Sequence, residues 1–228
     1  MTGQKCRLCS LLFSKLRQLL RLAFGNGIVC RCIHRSSYDS DDRIQQINAE
    51  APGCACEAHR MSKYSPRVVG DGERLARFVF SPIHVNTRKN RLKPSLFSHA
   101  ENRGCSVQRD SLADYREIGT FVADFLAANT NCCWYAVVVA KCDDVRRIQI
   151  SDSRKRTICV YDTAERTNPT HAEMGLTPFA LDDGDSNEMR RHLMTAFNTG
   201  SPFSPQAYRN GESWQTLAPE MRARHVAG

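Results

Sequence analysis

Cys133-Trp134-Tyr135-Ala136-Val137-Val138-Val139-Ala140 is an unbroken apolar run of eight residues, rich in β-branched and aromatic side chains. It is too short to span a bilayer, and it lacks the polar alternation of a strand with one wet face. The run therefore predicts a strand buried on both faces. Such a strand needs covering layers above and below it, and we expect it at the centre of a sheet.

Other segments supply those neighbours. Arg77-Phe78-Val79-Phe80-Ser81-Pro82-Ile83-His84-Val85-Asn86 carries strand-forming residues as far as Phe80. Pro82 has no N–H to give to a ladder, so it closes the strand and leaves His84 at its end. Gly104 to Arg109 and Arg156 to Tyr161 read as two more strands. Glu73-Arg74-Leu75 reads as a short helical turn, Val145 to Ile150 as a strand or a helical turn, and Leu92 to Phe97 as chain extended by Pro94. From Leu112, apolar residues at 115, 118, 122, 125 and 126 line one face of a helix that stops near Ala128. A second amphipathic helix runs from a cap at Ser186 through Met189, Leu193, Met194 and Phe197 to Gly200. We expect an α+β (or α/β) domain over residues 61–200, a small sheet packed by these two helices. Prolines 202, 205 and 219 mark residues 201–228 as a flexible tail.

The first sixty residues differ from this body. Cys6 to Phe24 reads as a basic amphipathic helix ending at Gly25-Asn26-Gly27, with no acidic residue before Asp39, a pattern suited to an anionic membrane surface or to targeting. Cys6, Cys9, Cys30, Cys32, Cys54 and Cys56, with His34 and His59 close by, offer soft metal ligands, but C-x-C is not the usual turn of a structural zinc site. The polar stretch from Ser36 to Glu50 has no helical or strand period. We expect residues 1–60 to be either a poorly ordered extension outside the core or the product of an upstream start, with Met61 the natural beginning.

Composition narrows the setting. The balance of 32 basic to 24 acidic residues, a net charge of +8, favours an acidic or phosphate-bearing partner, but it lacks the dedicated stripe of a nucleic-acid reader. Eleven cysteines, odd in number and unevenly spread, are unlike the framework of a small secreted domain and point to thiols in a reducing cytoplasm. Cys132-Cys133 reads as two small core residues rather than a redox centre. No apolar run reaches spanning length.

Four segments in order, Phe80-Ser81-Pro82-Ile83-His84, Leu92-Lys93-Pro94-Ser95-Leu96-Phe97, Cys105-Ser106-Val107-Gln108-Arg109 and Pro169-Thr170-His171-Ala172-Glu173-Met174, carry a resemblance. They resemble a set of small bacterial proteins of uncharacterised activity that share Pro-x-His, Lys-Pro-x-x-Phe, Ser-Val-x-Arg and a closing His-Ala. The resemblance covers residues 73–174, implies no established activity, and leaves residues 175–228 outside it.

His84, Arg109 and His171 fall at strand or loop ends, with Glu173 two residues beyond His171, so one cleft is able to gather them. Two imidazoles and a guanidinium suit acid/base work on a phosphate-bearing or nucleotide-like substrate. Arg109 would grip an oxyanion in two-pronged fashion while one histidine gives a proton and the other takes one. His84, His171 and Glu173 also make a metal set, and Arg88, Lys89, Arg91 and Lys93 make a phosphate patch beside His84. The simpler alternative is that these groups fasten loops to the sheet. No glycine-rich phosphate loop is present, so no cofactor is expected. The reading is a small cytoplasmic accessory or partner-binding module whose partner is a protein or a phosphate-bearing ligand. A hydrolase or transferase acting on such a ligand is the competing class.

Overall fold

Along β1 (Arg74–Ser81), Leu75 and Val79 belong to one core cluster and Ala76, Phe78 and Phe80 to another, and all five are buried. Alternation of this kind puts a covering layer on each face of the sheet. The computed structural model describes residues 41–50, 53–60, 63–112, 115–150, 155–183 and 186–209. In chain order the elements are α1 (Arg43–Glu50), β1, a hairpin of β2 (Val85–Asn86) and β3 (Arg91–Leu92), β4 (Cys105–Arg109), α2 (Tyr115–Ala128), β5 (Cys133–Lys141), α3 (Cys142–Arg146), β6 (Ile158–Asp162), β7 (His171–Leu176), α4 (Pro178–Asp183), α5 (Ser186–Ala196) and α6 (Pro205–Arg209). Short 3-10 turns occupy Ala55–Ala58, Pro94–Glu101 and Asp110–Leu112. Five strands form one sheet in the order β5-β1-β4-β7-β6, and every pairing is antiparallel, so the class is α+β.

The apolar run 133–140 lies in β5, but β5 is the outermost strand and the middle position belongs to β4. An unbroken apolar run reports two covered faces and says nothing of the place in the strand order, which explains the difference. Phe203 shields the outer edge of β5 by exchanging main-chain bonds of 2.9 and 2.8 Å with Val137. β7 is a strand that the sequence reading took as chain after a turn. Its six residues are all buried, including His171, Glu173 and Gly175, which broke the expected apolar pattern. Residues 74 and 75 belong to β1 rather than to a helical turn. Pro94 opens a 3-10 turn instead of extending the chain, because a proline's missing N–H costs nothing at a first helical position. Residues 142–146 are helical, and α2 and α5 stand on the expected residues.

One face of the sheet packs Leu75, Val107, Val138, Val160 and Met174 against Leu96 and Phe97 of the 3-10 turn and Leu193 and Phe197 of the α5 region. The opposite face is covered in two parts. Over β5 and β1 lie Ile118 and Val122 of α2 with Phe203, Ala207 and Tyr208. Over β6 and β7 lie Ile44, Ile47, Cys54 and Cys56, against Cys159 and Tyr161.

Both expected domain limits therefore move. Residues 41–50 and 53–60 contribute to the core: Ile44 and Ile47 are fully buried, Asn48 donates to the Leu176 carbonyl at 2.8 Å, and Cys54 is bonded to Cys159. The polar run concealed this because buried Arg43 finds its carboxylate, Glu173, 130 residues away. Residues 201–209 likewise pack on the sheet through Phe203 and α6. The expectations for the helix 6–24, for Cys6, Cys9, Cys30 and Cys32, and for residues 210–228 lie outside the described residues. Cys54 and Cys159 depart from the all-thiol expectation, while Cys56, Cys105, Cys132, Cys133 and Cys142 are unbridged. Cys133 is exposed and Cys132 half-buried, so this pair is not core.

Gly175 is where β7 admits α1, since a Cβ there would come within 2.5 Å of the Ile44 Cδ1. We expect Gly175→Ala to destabilise the fold by about 1–3 kcal/mol through overpacking. Combined with Ile44→Val, which deletes that methyl, the cost should fall well below the sum of the two single changes. Denaturant melts of the four proteins measure this coupling, and additive costs would show that α1 does not seat on β7.

Candidate ligand-binding cleft

β1 and β4 pair only at Leu75–Arg109 and Ala76–Gln108. Beyond those rungs β1 continues alongside β5 and β4 alongside β7, so the sheet opens between its second and third strands. Where strands part, main-chain groups must find other partners. Arg77 supplies them, donating from Nη1 to the Ser106 carbonyl at 2.8 Å and from Nη2 to the Leu96 carbonyl at 3.3 Å. The opening is a cleft of about 330 Å³, lined by residues from both faces of the sheet. Phe78, Phe80, Phe121 and Phe125 contribute aromatic surface, with Phe80 stacked on Phe125 at 4.0 Å between ring centroids. Arg77, His84, His99, Ser106 and Gln108 contribute the polar surface.

His84 is held in the cleft by its own turn. Its N–H donates to the Phe80 carbonyl at 2.8 Å, and the Phe80 N–H donates back to Nδ1 at 3.0 Å, across a cis Ser81–Pro82 peptide. Because Nδ1 accepts, the neutral ring carries its proton on Nε2. Burial, with the nearby positive charge of Arg77 and the neighbours His99 and Lys93, lowers its pKa to about 3. Lys93 closes the same turn, donating from Nζ to the Pro82 carbonyl at 2.8 Å and from its N–H to the His84 carbonyl at 2.8 Å. The Pro-x-His and Lys-Pro-x-x-Phe segments thus form one structural unit, and Arg77 ties it to the Ser106-Val107 segment of β4.

Arg109 belongs elsewhere. It is completely buried and clamps residues 67–73, with Nε and Nη2 each 2.8 Å from the Glu73 carboxylate, Nη1 2.6 Å from the Arg67 carbonyl and Nη2 3.1 Å from that of Val68. Burial alone would raise the Glu73 pKa, but the bonds from Arg109 and from the Gly70 N–H outweigh it and hold the carboxyl below its ordinary value. His171 pairs with Gln108 across the strands, yet its ring is buried with Nδ1 2.8 Å from the Thr163 hydroxyl, and burial lowers its pKa. Glu173 is buried beside Arg43, one oxygen 2.6 Å from Nη1 and the other without a hydrogen-bond partner among the described residues. Its burial outweighs Arg43 and raises its pKa to about 7.

Of the four residues expected to act together, then, only His84 lines the cleft. Arg109 has its donors taken, and His171 and Glu173 are bonded to Thr163 and Arg43. His84, His171 and Glu173 do not form a metal set. Among the described residues the group with suitable spacing is Cys54, Glu57 and Cys159, whose two sulfurs are joined to each other. Arg88, Lys89 and Arg91 are exposed on the β2–β3 hairpin, while Lys93 is spent on its turn. Sequence reasoning missed Arg77, His99 and Gln108. His99 sits on a 3-10 turn whose first residues, as far as Phe97, were read as extended chain, and Gln108 stood between two residues of a motif whose arginine drew the attention. On α2, Phe125 belonged to the apolar stripe marked by the spacing, whereas Phe121 lay outside it.

No family model matches this chain, and neither a curated protein nor a solved structure matches it. No helix among the described residues is long and apolar enough to cross a membrane.

The depressed His84 pKa predicts that its imidazole stays neutral at pH 5, read from its ring carbon and nitrogen shifts by NMR. A midpoint near 6.5 would contradict the buried, Nδ1-accepting geometry. Glu173 has the opposite sign of effect on stability. Folded, it keeps its proton up to about pH 7; unfolded, it releases it near an ordinary carboxyl value of about 4.3. Its contribution is therefore full below the unfolded value and is lost as pH rises through 7. We expect Glu173→Gln to gain stability relative to the parent as pH rises from about 4.5 to 7, measured by urea melts. A constant difference would mean that Glu173 is ionised in the fold.

Proposed function

We propose that this protein is a non-catalytic binding module and that the cleft between β1 and β4 receives the apolar part of its ligand. The observation that carries this reading is a concave, aromatic-walled opening whose few polar groups converge on it, the usual build of a small-molecule site. Acid/base chemistry finds less support. His84 is the one expected member facing the cleft, it lacks a carboxylate partner there, and its low pKa leaves it a poor proton carrier near neutrality. The competing hydrolase or transferase rests on the exposed Arg88, Lys89 and Arg91, which offer attraction for phosphate and lie outside the cleft wall.

A cytoplasmic setting, and the bacterial origin that the resemblance implies, belong to the same proposal. Five described cysteines are unbridged, and both sulfurs of Cys54–Cys159 sit on buried residues, where reductants reach them slowly.

The test uses N-phenyl-1-naphthylamine, a neutral dye that brightens in apolar surroundings. The folded protein should bind it saturably, and Ser106→Leu, which fills the cleft from β4, should weaken binding at least about tenfold while keeping the parent's cooperative melt. Absence of binding, or binding indifferent to Ser106→Leu, would defeat the reading.

A further inference from the structure

Every polar group on the cleft wall offers a hydrogen or a positive charge, and no aspartate or glutamate lines it. His84 accepts at Nδ1, so its Nε2–H is the group left for a ligand. Gln108 is nine-tenths buried or more, and its Oε1 takes the Thr170 hydroxyl at 2.9 Å, which leaves the amide NH2 to face the opening. Arg77 is the centre of the set. Two of its nitrogens bond main-chain carbonyls, which are neutral, and its Nε has no hydrogen-bond partner among the described residues. No carboxylate among the described residues pairs with it, in contrast to the paired guanidiniums of Arg43 and Arg109. Its charge reaches His84, His99 and His171, pressing each toward the neutral form. A half-buried guanidinium without a counter-charge, flanked by oriented donors in an apolar recess, favours an anion strongly.

We propose that the ligand is a small molecule with a flat apolar body and one anionic oxygen head, the body against Phe80 and Phe125 and the head on the donors of Arg77, Gln108 and His84. This rests on the binding-module reading and specifies its ligand. The aromatic wall alone would accept neutral and charged rings alike; the donor set distinguishes between them. A peptide or nucleic acid is less favoured, since the recess has the volume of a compact ligand and the basic hairpin residues are not part of its wall.

The experiment displaces N-phenyl-1-naphthylamine with 2-naphthoate and with 2-naphthamide, which have the same shape and differ in head charge. We expect naphthoate to compete at least about tenfold better, the factor typical of one charge-assisted hydrogen bond. Gln108→Glu keeps the side-chain shape and the acceptor for Thr170 but replaces the donor by an anion, and it should abolish the naphthoate advantage. His84→Asn provides a second variant should the buried glutamate unfold the chain. Asparagine Oδ1 can stand in for Nδ1 toward the Phe80 N–H while the Nε2–H is lost, so naphthoate should weaken about tenfold and naphthamide by less than about twofold. Equal competition by the two compounds would overturn the anionic head and leave the apolar cleft standing. Dye that fails to bind at all would overturn both.

Discussion

The pairing of β1 with β4 stops after two rungs, and the site depends on that interruption. Had the ladder continued, Ser106 and Phe78 would face each other as ordinary cross-strand neighbours, and the carbonyl of Ser106 would be satisfied by the sheet. Arg77 takes over as bonding partner on both sides of the gap, to Ser106 and to Leu96. A charged side chain thus does the work of a ladder, and a charge placed there cannot be neutral to what enters the opening. The turn that carries His84 is pinned by Lys93, and the residues after Lys93 form the 3-10 turn that offers the Leu96 carbonyl. The Pro-x-His, Lys-Pro-x-x-Phe and Ser-Val-x-Arg segments become a single rim around the gap.

Two buried arginine–carboxyl contacts hold what lies around this rim, Arg109 with an ionised Glu73 and Arg43 with a Glu173 that keeps its proton up to about pH 7. Arg109 fastens the loop before β1 through Glu73, and Arg43 brings α1 onto β7 through Glu173. Desolvating an ion pair such as the first costs nearly what its attraction returns, so its net stabilisation is small, but removing one partner strands a buried charge at a cost of about 3–5 kcal/mol. Both contacts act as locks on register and placement. Arg109 is well satisfied, with carbonyls completing its donors, whereas Glu173 keeps one oxygen unbonded among the described residues and a pKa near 7. The second lock is therefore the one sensitive to proton concentration, with Cys54–Cys159 bracing the same segment covalently.

Most of the secondary structure was legible along the chain. The three- and four-residue spacing of Ile118, Val122 and Phe125 and of Met189, Leu193 and Phe197 marked α2 and α5, and apolar runs marked β1, β4, β5 and β6. β7 was hidden because a strand whose polar residues are bonded by distant partners loses the apolar signature. α1 was hidden for the same reason, with Arg43 polar in sequence and fully buried in the fold. At the site, His84 was recognisable from Pro82 and the end of its strand. The grouping with Arg109, His171 and Glu173 was not sound, since proximity to strand ends does not tell which face a side chain takes or what already occupies it.

The sequence by itself determined that a mixed α+β domain would form, because hydrophobic periodicity is a local property that neighbouring residues express without reference to the rest of the chain. It also determined that β1 would end at Pro82 with His84 just beyond it. Tertiary structure decided the strand order that put β5 at the edge, the early parting of β1 from β4, and the commitment of Arg109, His171 and Glu173 to Glu73, Thr163 and Arg43. Those outcomes depend on partners at separations running from the 8 residues between Thr163 and His171 to the 130 between Arg43 and Glu173. Hydrophobic periodicity names no polar side chain's partner, near or far, and it is the pairing that determines whether such a side chain holds the fold or is left facing the cleft.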